Sequence, residues 1–227
     1  MNLDDLIKTH DELNPKLWYE NNLRREVEYH LLQVAKAFVK FINISDLQLE
    51  DITISGSNAS YNYNSKSDID LHLVVDEKNK CYDILKELFL AKKSLFNEQH
   101  DISMRGIAVE VYVQESGQPH ISNGVYSLLQ DKWIKQPKPI MVKPDITNTK
   151  HKYEFLRHEV DQAIKSKDGQ KLDAIKAKIK DMRASGLAAN GEFGPENLAF
   201  KMLRNDGLLD ELYNVSTQAQ DEKLSIG

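Results

Sequence analysis

The sequence predicts a mixed α/β fold of the α+β kind: a small mixed sheet backed by helices, followed by a C-terminal helical domain. Three observations predict it. An apolar run ending at Gly56-Ser57 is followed by a polar loop and then by the alternating segment Asp68-Ile69-Asp70-Leu71-His72-Leu73-Val74-Val75. A third strand-like run, Ile107-Ala108-Val109-Glu110-Val111-Tyr112-Val113, carries a single acid among apolar neighbours. Beyond Pro137, Pro139 and Pro144 the apolar residues recur at helical spacing instead. The expected division is therefore 1–45 as N-terminal helices packed on the sheet, 46–143 as the sheet domain, and 144–227 as the helical domain with a mobile tail.

In chain order, a short helix and a proline turn, Leu13-Asn14-Pro15-Lys16-Leu17-Trp18, come first, with Leu17 and Trp18 expected to dock on the body. A long helix follows over about Leu23–Ile42, with an apolar stripe of Val27, His30, Leu31, Val34, Ala35, Phe38 and Phe41. After the Gly-Ser and Asp-x-Asp strands, a helix over about Asn79–Gln99 presents Tyr82, Leu85, Leu88, Phe89 and Leu95. The Glu110 strand is next, then a hairpin of Val125–Leu129 and Trp133–Lys135 turning at Gln130-Asp131-Lys132. In the helical part, one stripe is Tyr153, Leu156, Val160 and Ala163, and a second is Leu172, Ile175, Ile179 and Met182. Lys167-Asp168-Gly169 breaks them, with Gly169 expected as the left-handed cap. Gly186–Pro195 reads as a loop, suited to a ligand or to a tight helix connection. Pro195 then opens a helix to about Asn205, and a last short helix spans Leu208–Tyr213 before a polar tail from Ser216.

Composition narrows the class. With 227 residues, 41% hydrophobic and 29% charged, the chain has the balance of a soluble globular protein. A net charge of −5 supplies no global basic field for nucleic acid and argues against a processive polymerase. The single cysteine, Cys81, has no internal disulfide partner, which points to the cytoplasm. The start MNLDDLIKTH lacks the apolar core of a signal peptide, and no apolar run reaches membrane-spanning length. No membrane partner is expected.

The chemistry concentrates between Gly56 and Glu110. Side chains alternate along a strand, so Asp68, Asp70, His72 and Val74 share one face while Ile69, Leu71, Leu73 and Val75 point to a core. Two neighbouring carboxylates on one face repel unless a proton or cation lies between them. Mg²⁺ takes such oxygen ligands together with substrate phosphates. Gly56 lets backbone approach an anion, and Ser57 adds a hydroxyl beside backbone N–H groups. A charge within the apolar Glu110 run is costly unless it is paired.

This pattern resembles the DNA polymerase beta-like nucleotidyltransferase superfamily: a hydrophobic strand, Gly-Ser, a spacer, Asp-hydrophobic-Asp, then a third acid on a later strand. Here these are Gly56, Ser57, Asp68, Asp70 and Glu110, with ten residues between Ser57 and Asp68; many members carry Asp at the third place. The resemblance implies a nucleotidyltransferase palm and transfer of a nucleoside monophosphate from an NTP such as ATP, with pyrophosphate leaving. It implies Mg²⁺ or Mn²⁺ on Asp68, Asp70 and Glu110, with the nucleotide near Gly56 and Ser57. Lys66, Ser67, Lys201 and Arg204 are phosphate candidates, as is Arg105, and Tyr61 and Tyr63 are candidates for stacking on a base. His72 reads equally as a site group or a structural histidine. Leu13–Trp18, Ser-Asp-Ile-Asp-Leu and Gly191-Glu192-Phe193-Gly194-Pro195-Glu196-Asn197-Leu198 also resemble uncharacterised nucleotidyltransferases of tailed bacteriophages, which implies a host cytoplasm. The net charge favours a small molecule or a protein over RNA as acceptor. The alternative is a nucleotide-binding or antitoxin-type interaction protein of the same fold without turnover.

Overall fold

The structure, a computed structural model, describes residues 3–44, 47–76, 82–120, 122–140 and 143–226, with backbone alone for 82–84. Cys81 and the side chain of Tyr82 lie outside the described residues. The chain divides into two compact units, Lys8–Met141 on one hand and Met1–Ile7 with Val142–Gly227 on the other. Residues 1–7 thus depart from the expected N-terminal block. The first helix, α1 (Leu3–Leu6), buries Leu3 and Leu6 with Leu198 of the helical unit, because two leucines on so short a helix need a ready-made apolar surface.

In the sheet unit, a two-stranded ribbon, β1 (Trp18–Tyr19) with β2 (Asn22–Leu23), leads into α2 (Arg25–Ile42). Helix α2 buries Val27, Leu31, Val34, Ala35, Phe38 and Ile42. His30 is exposed, so the apolar stripe runs beside it to Ile42, which corrects the place of His30 in the expected stripe. The strands β3 (Leu49–Ser55), β4 (Ile69–Val75), β5 (Ser103–Met104), β6 (Ile107–Glu115), β7 (Val125–Ser127) and β8 (Lys132–Lys135) form one mixed sheet in the order β5-β6-β4-β3-β7-β8. Only β4 and β6 run parallel; they are joined through α3 (Tyr82–Gln99). A parallel pair needs such a crossover, whereas the antiparallel β7–β8 hairpin turns tightly through Asp131 at φ 49°.

Strand β4 alternates as expected, with Ile69, Leu71 and Leu73 fully buried in one apolar core with Phe38 of α2 and Phe89 and Phe96 of α3. On α3 the core positions are Phe89 and Phe96. Leu88 and Leu95, one position earlier in the helical turn, are 37% and 43% exposed, which corrects the expected stripe. Beyond β5, the edge of β6 would offer unpaired backbone groups. Asn97 of α3 answers both groups of Val111, its Nδ2 donating to the carbonyl at 3.2 Å and its Oδ1 accepting from the N–H at 3.1 Å.

The helical unit contains α4 (Ile146–Ser166), α5 (Gly169–Asn190), α6 (Pro195–Asn205) and α7 (Leu208–Leu224). Leu156, Val160, Leu172, Ile175, Ile179, Leu203, Leu209 and Leu212 form its core. Three expectations are corrected here. Lys167, not Gly169, takes the left-handed cap, and Asp168 caps the next helix by accepting from the Gln170 N–H at 2.9 Å. Helix α5 continues through Gly186 to Asn190, because a Cβ at 186 would lie 2.3 Å from the Cβ of Glu196: the glycine permits close helix packing rather than a turn. Helix α7 runs to Leu224 and buries Ser216, whose hydroxyl accepts from Lys176 Nζ at 2.7 Å, so the tail is helical. The connection at 191–194 is tight, with Asn197 Nδ2 donating to the Glu192 carbonyl at 2.7 Å.

Candidate active site

Parallel register sets Asp70 of β4 directly beside Glu110 of β6, and antiparallel register sets Ser55 of β3 on the other side of Asp70. Direct partners share a sheet face, so Ser55, Asp70 and Glu110 form one row. Thr53, His72 and Tyr112 form the next row on the same face. Asp68 lies just ahead of β4, half-buried. The Asp70 carboxyl is pushed up to about 7, first by burial and then by the negative charges of Asp68 and Glu110. A hydrogen bond from Tyr112 and the charge of Lys93 partly offset the rise.

Tyr112 donates its hydroxyl to Glu110 Oε2 at 2.5 Å. Its ring stacks on His72 at 5.0 Å between centroids, and the Lys93 ammonium lies 3.9 Å from the ring centre. Burial and the bond to Glu110 raise the phenol above its ordinary value, so it remains a donor. The His72 imidazole is lowered to about 4 by burial and by the nearby His120 and Lys93. It is therefore neutral near pH 7 and adds no positive charge to the acids; its Nε2 lies 3.0 Å from Ser55 Oγ.

Gly56 ends β3 at φ 76°, and its N–H donates to Ser122 Oγ at 3.1 Å. A Cβ at this position would lie 1.9 Å from Asp70 Oδ2. The missing side chain leaves that space to the Asp70 carboxylate. Ser57 begins the 3-10 turn Ser57–Ala59 and donates to Ser67 Oγ at 2.8 Å, and Ser67 Oγ also accepts from the Asn64 N–H at 2.9 Å. Lys66 is exposed in this loop.

The N-terminal strap fixes the same loop. Asn58 is fully buried; its Nδ2 donates to the Asp68 carbonyl at 2.7 Å, and its Oδ1 accepts from Asn14 Nδ2 at 2.8 Å. Trp18 Nε1 donates to the Asn58 carbonyl at 2.7 Å. Tyr63 stacks on His10 at 3.9 Å, and Tyr61 packs against the core.

No protein-family model and no curated protein matches the chain. A solved structure, the STING-associated c-di-GMP synthase CdnE from Capnocytophaga granulosa, aligns at a TM-score of 0.26 and 13% identity, over 90% of this chain and 70% of that one. A likeness at that level carries no argument about the site.

The other expected residues have contacts of their own. Arg105, itself at φ 51°, pairs with Glu26 of α2 at 3.1 Å. Lys201 and Arg204 belong to α6 of the helical unit, where Lys201 pairs with Glu192 at 3.0 Å and Arg204 is exposed. Among the described residues, no three acidic, histidine or cysteine side chains converge closely enough to hold a metal ion as they stand. By chemistry the donor set suits a hard divalent cation: an all-oxygen group in which burial, and then the charges of Asp68 and Glu110, raise Asp70. Residues missed in the sequence are Tyr112, Lys93, Asn58, Asn97 and Ser122. Alternation could have found Tyr112, which stands to Glu110 as His72 stands to Asp70.

Among the described residues no helix is long and apolar enough to cross a membrane.

Proposed function

We propose that the chain is a divalent-metal nucleotidyltransferase that moves a nucleoside monophosphate from an NTP to an acceptor hydroxyl. The observation that carries this reading is Asp70 beside Glu110 in parallel register, with Asp68 adjacent and the Gly56-Ser57 turn against Asp70. Asp68, Asp70 and Glu110 would hold Mg²⁺ or Mn²⁺. Such an ion, when bound, neutralises the triphosphate and lowers the pKa of an attacking hydroxyl. The Ser57 and Ser67 hydroxyls, bonded to each other in the structure, would turn to phosphate oxygens, with Lys66 exposed in the same loop. Neutral His72 keeps the second row of the face polar without adding charge.

In the proposed transfer, the acceptor oxygen forms a bond to the α-phosphorus. The bond between the α-phosphorus and the bridging oxygen breaks, and pyrophosphate leaves with that oxygen. The hydroxyl proton passes to Glu110. The chain contributes positioning and charge compensation, not a covalent intermediate. A net charge of −5 favours a small molecule or a protein as acceptor over nucleic acid.

Incubation with each α-labelled NTP, Mn²⁺ or Mg²⁺ and a cell lysate tests the reading. Label should move to one molecular class with the parent and not with Asp70→Asn. Equal labelling by both, or none with any of the four NTPs, overturns it.

A further inference from the structure

Tyr112 holds a place that transfer chemistry alone does not require. Its hydroxyl donates to Glu110 Oε2 at 2.5 Å, and Glu110 stands directly beside Asp70 in the parallel register, so the O–H occupies one oxygen of the facing acid pair. The ring is fixed from two elements, by His72 stacked from β4 and by the Lys93 ammonium from α3. A side chain braced in this way keeps its hydroxyl directed at the acids.

Resting on the nucleotidyltransferase reading, we propose that the Tyr112 hydroxyl is a stand-in for the cation: it holds Glu110 Oε2 beside Asp70 while no metal is bound and yields that oxygen when one binds. Two carboxylates side by side on one sheet face repel and would swing apart without a positive group between them. The positive end of the phenol dipole answers part of that repulsion at no cost in buried charge. A divalent ion answers it fully and takes the same lone pairs. Tyr112 is thus a positioning residue, which keeps the acid pair together yet competes with the ion it prepares for.

The two roles predict a pair of effects that a merely structural tyrosine would not give. In Tyr112→Phe the ring and its stacking remain and only the hydroxyl is lost. The metal-free variant should melt at a lower temperature than the parent, since the carboxylates face each other without a donor. Its Mn²⁺ affinity, read from the free-ion electron paramagnetic resonance signal, should rise about three- to tenfold, because nothing competes for the oxygens. Saturating Mn²⁺ should then bring the two melting temperatures together.

The experiment takes parent, Tyr112→Phe and Asp70→Asn through the same Mn²⁺ titration and thermal melts. If the parent binds and Asp70→Asn does not, while Tyr112→Phe binds no tighter than the parent, the stand-in role is overturned and the metal site survives. If Tyr112→Phe binds more weakly, the hydroxyl supports the bound state and the proposal is likewise overturned. If the parent binds no Mn²⁺, with or without NTP, the metal reading fails and takes this proposal with it.

Discussion

Asp51 and Asp70 lie on the same face of the same sheet, one near each end of the β3–β4 pair, and are built in opposite ways. Asp51 is buried and fully answered: Oδ1 accepts from the Ile52 N–H at 2.7 Å and from Ser127 Oγ at 2.8 Å, and Oδ2 accepts from Gln130 Nε2 at 3.2 Å. Asp70 faces Glu110 and Asp68, with Tyr112 and Lys93 as the groups that ease its charge. A carboxylate enclosed by donors holds a fold together. One crowded by acids stores repulsion that a cation can release, and such a site works against stability. The difference separates a structural acid from the one proposed as functional, where sequence shows only two aspartates in polar positions.

The contrast can be broken most sharply at Asp51. Replacing it by Ala strips three donors of their acceptor, and a loss of about 3 kcal/mol is expected from a buried charge-assisted network. Urea unfolding measures it; a loss under about 1 kcal/mol would remove Asp51 as the structural member of the pair. At the other end, Asp70→Asn should stabilise the metal-free protein by about 1–2 kcal/mol near pH 8. A destabilised Asn variant would mean that the crowding of Asp70 is already relieved.

Gly56 comes next in size. Gly56→Ala places a Cβ where Asp70 Oδ2 lies, on backbone already at φ 76°. A cost of about 1–2 kcal/mol is expected. Because the clash is with the carboxylate, pairing the change with Asp70→Gly should recover part of it. Full additivity of the two changes would show that the glycine is needed for its φ alone.

In pH dependence the signs are opposite for two neighbours. Asp70 is raised from 3.8 to about 7, so the folded state holds a proton that the unfolded state has lost; this contribution is present near pH 4 and lost as pH rises through 7. His72 is lowered from 6.5 to about 4, so the unfolded state binds the proton; its contribution is present above 6.5 and lost as pH falls through 4. Between about pH 4 and 6.5 the two slopes oppose each other. The stability of Asp70→Asn relative to the parent should therefore rise with pH over 4–7, and that of His72→Gln should rise as pH falls from 6.5 to 4. Parallel curves for parent and variants would refute both shifts.

Much of the sheet was legible because burial follows alternation: Ile69, Leu71 and Leu73 are fully buried, and Asp70 and His72 face away from them. The acids themselves were legible as single residues in apolar runs. That Asp70 and Glu110 meet was implied by the resemblance, but their direct register was not legible, since register between parallel strands is set by a crossover helix and by packing that no local pattern encodes. Asn97 and Asn58 act through distant backbone groups, at Val111 and Asp68, and look like ordinary polar residues in the sequence. Gly186 and the stretch after Ser216 misled because turn and tail signals are local, whereas contact with Glu196 and Lys176 is tertiary.

Asp70 and its neighbours are proposed to form a cation-dependent nucleotide site. Calorimetric titration of NTP into the parent and into Asp70→Asn, with Mg²⁺ and with a chelator, tests it most directly. The parent should bind in Mg²⁺ at least tenfold more tightly than in chelator, and Asp70→Asn should lose that gain. Equal NTP affinity of parent and variant in Mg²⁺ would contradict the claim.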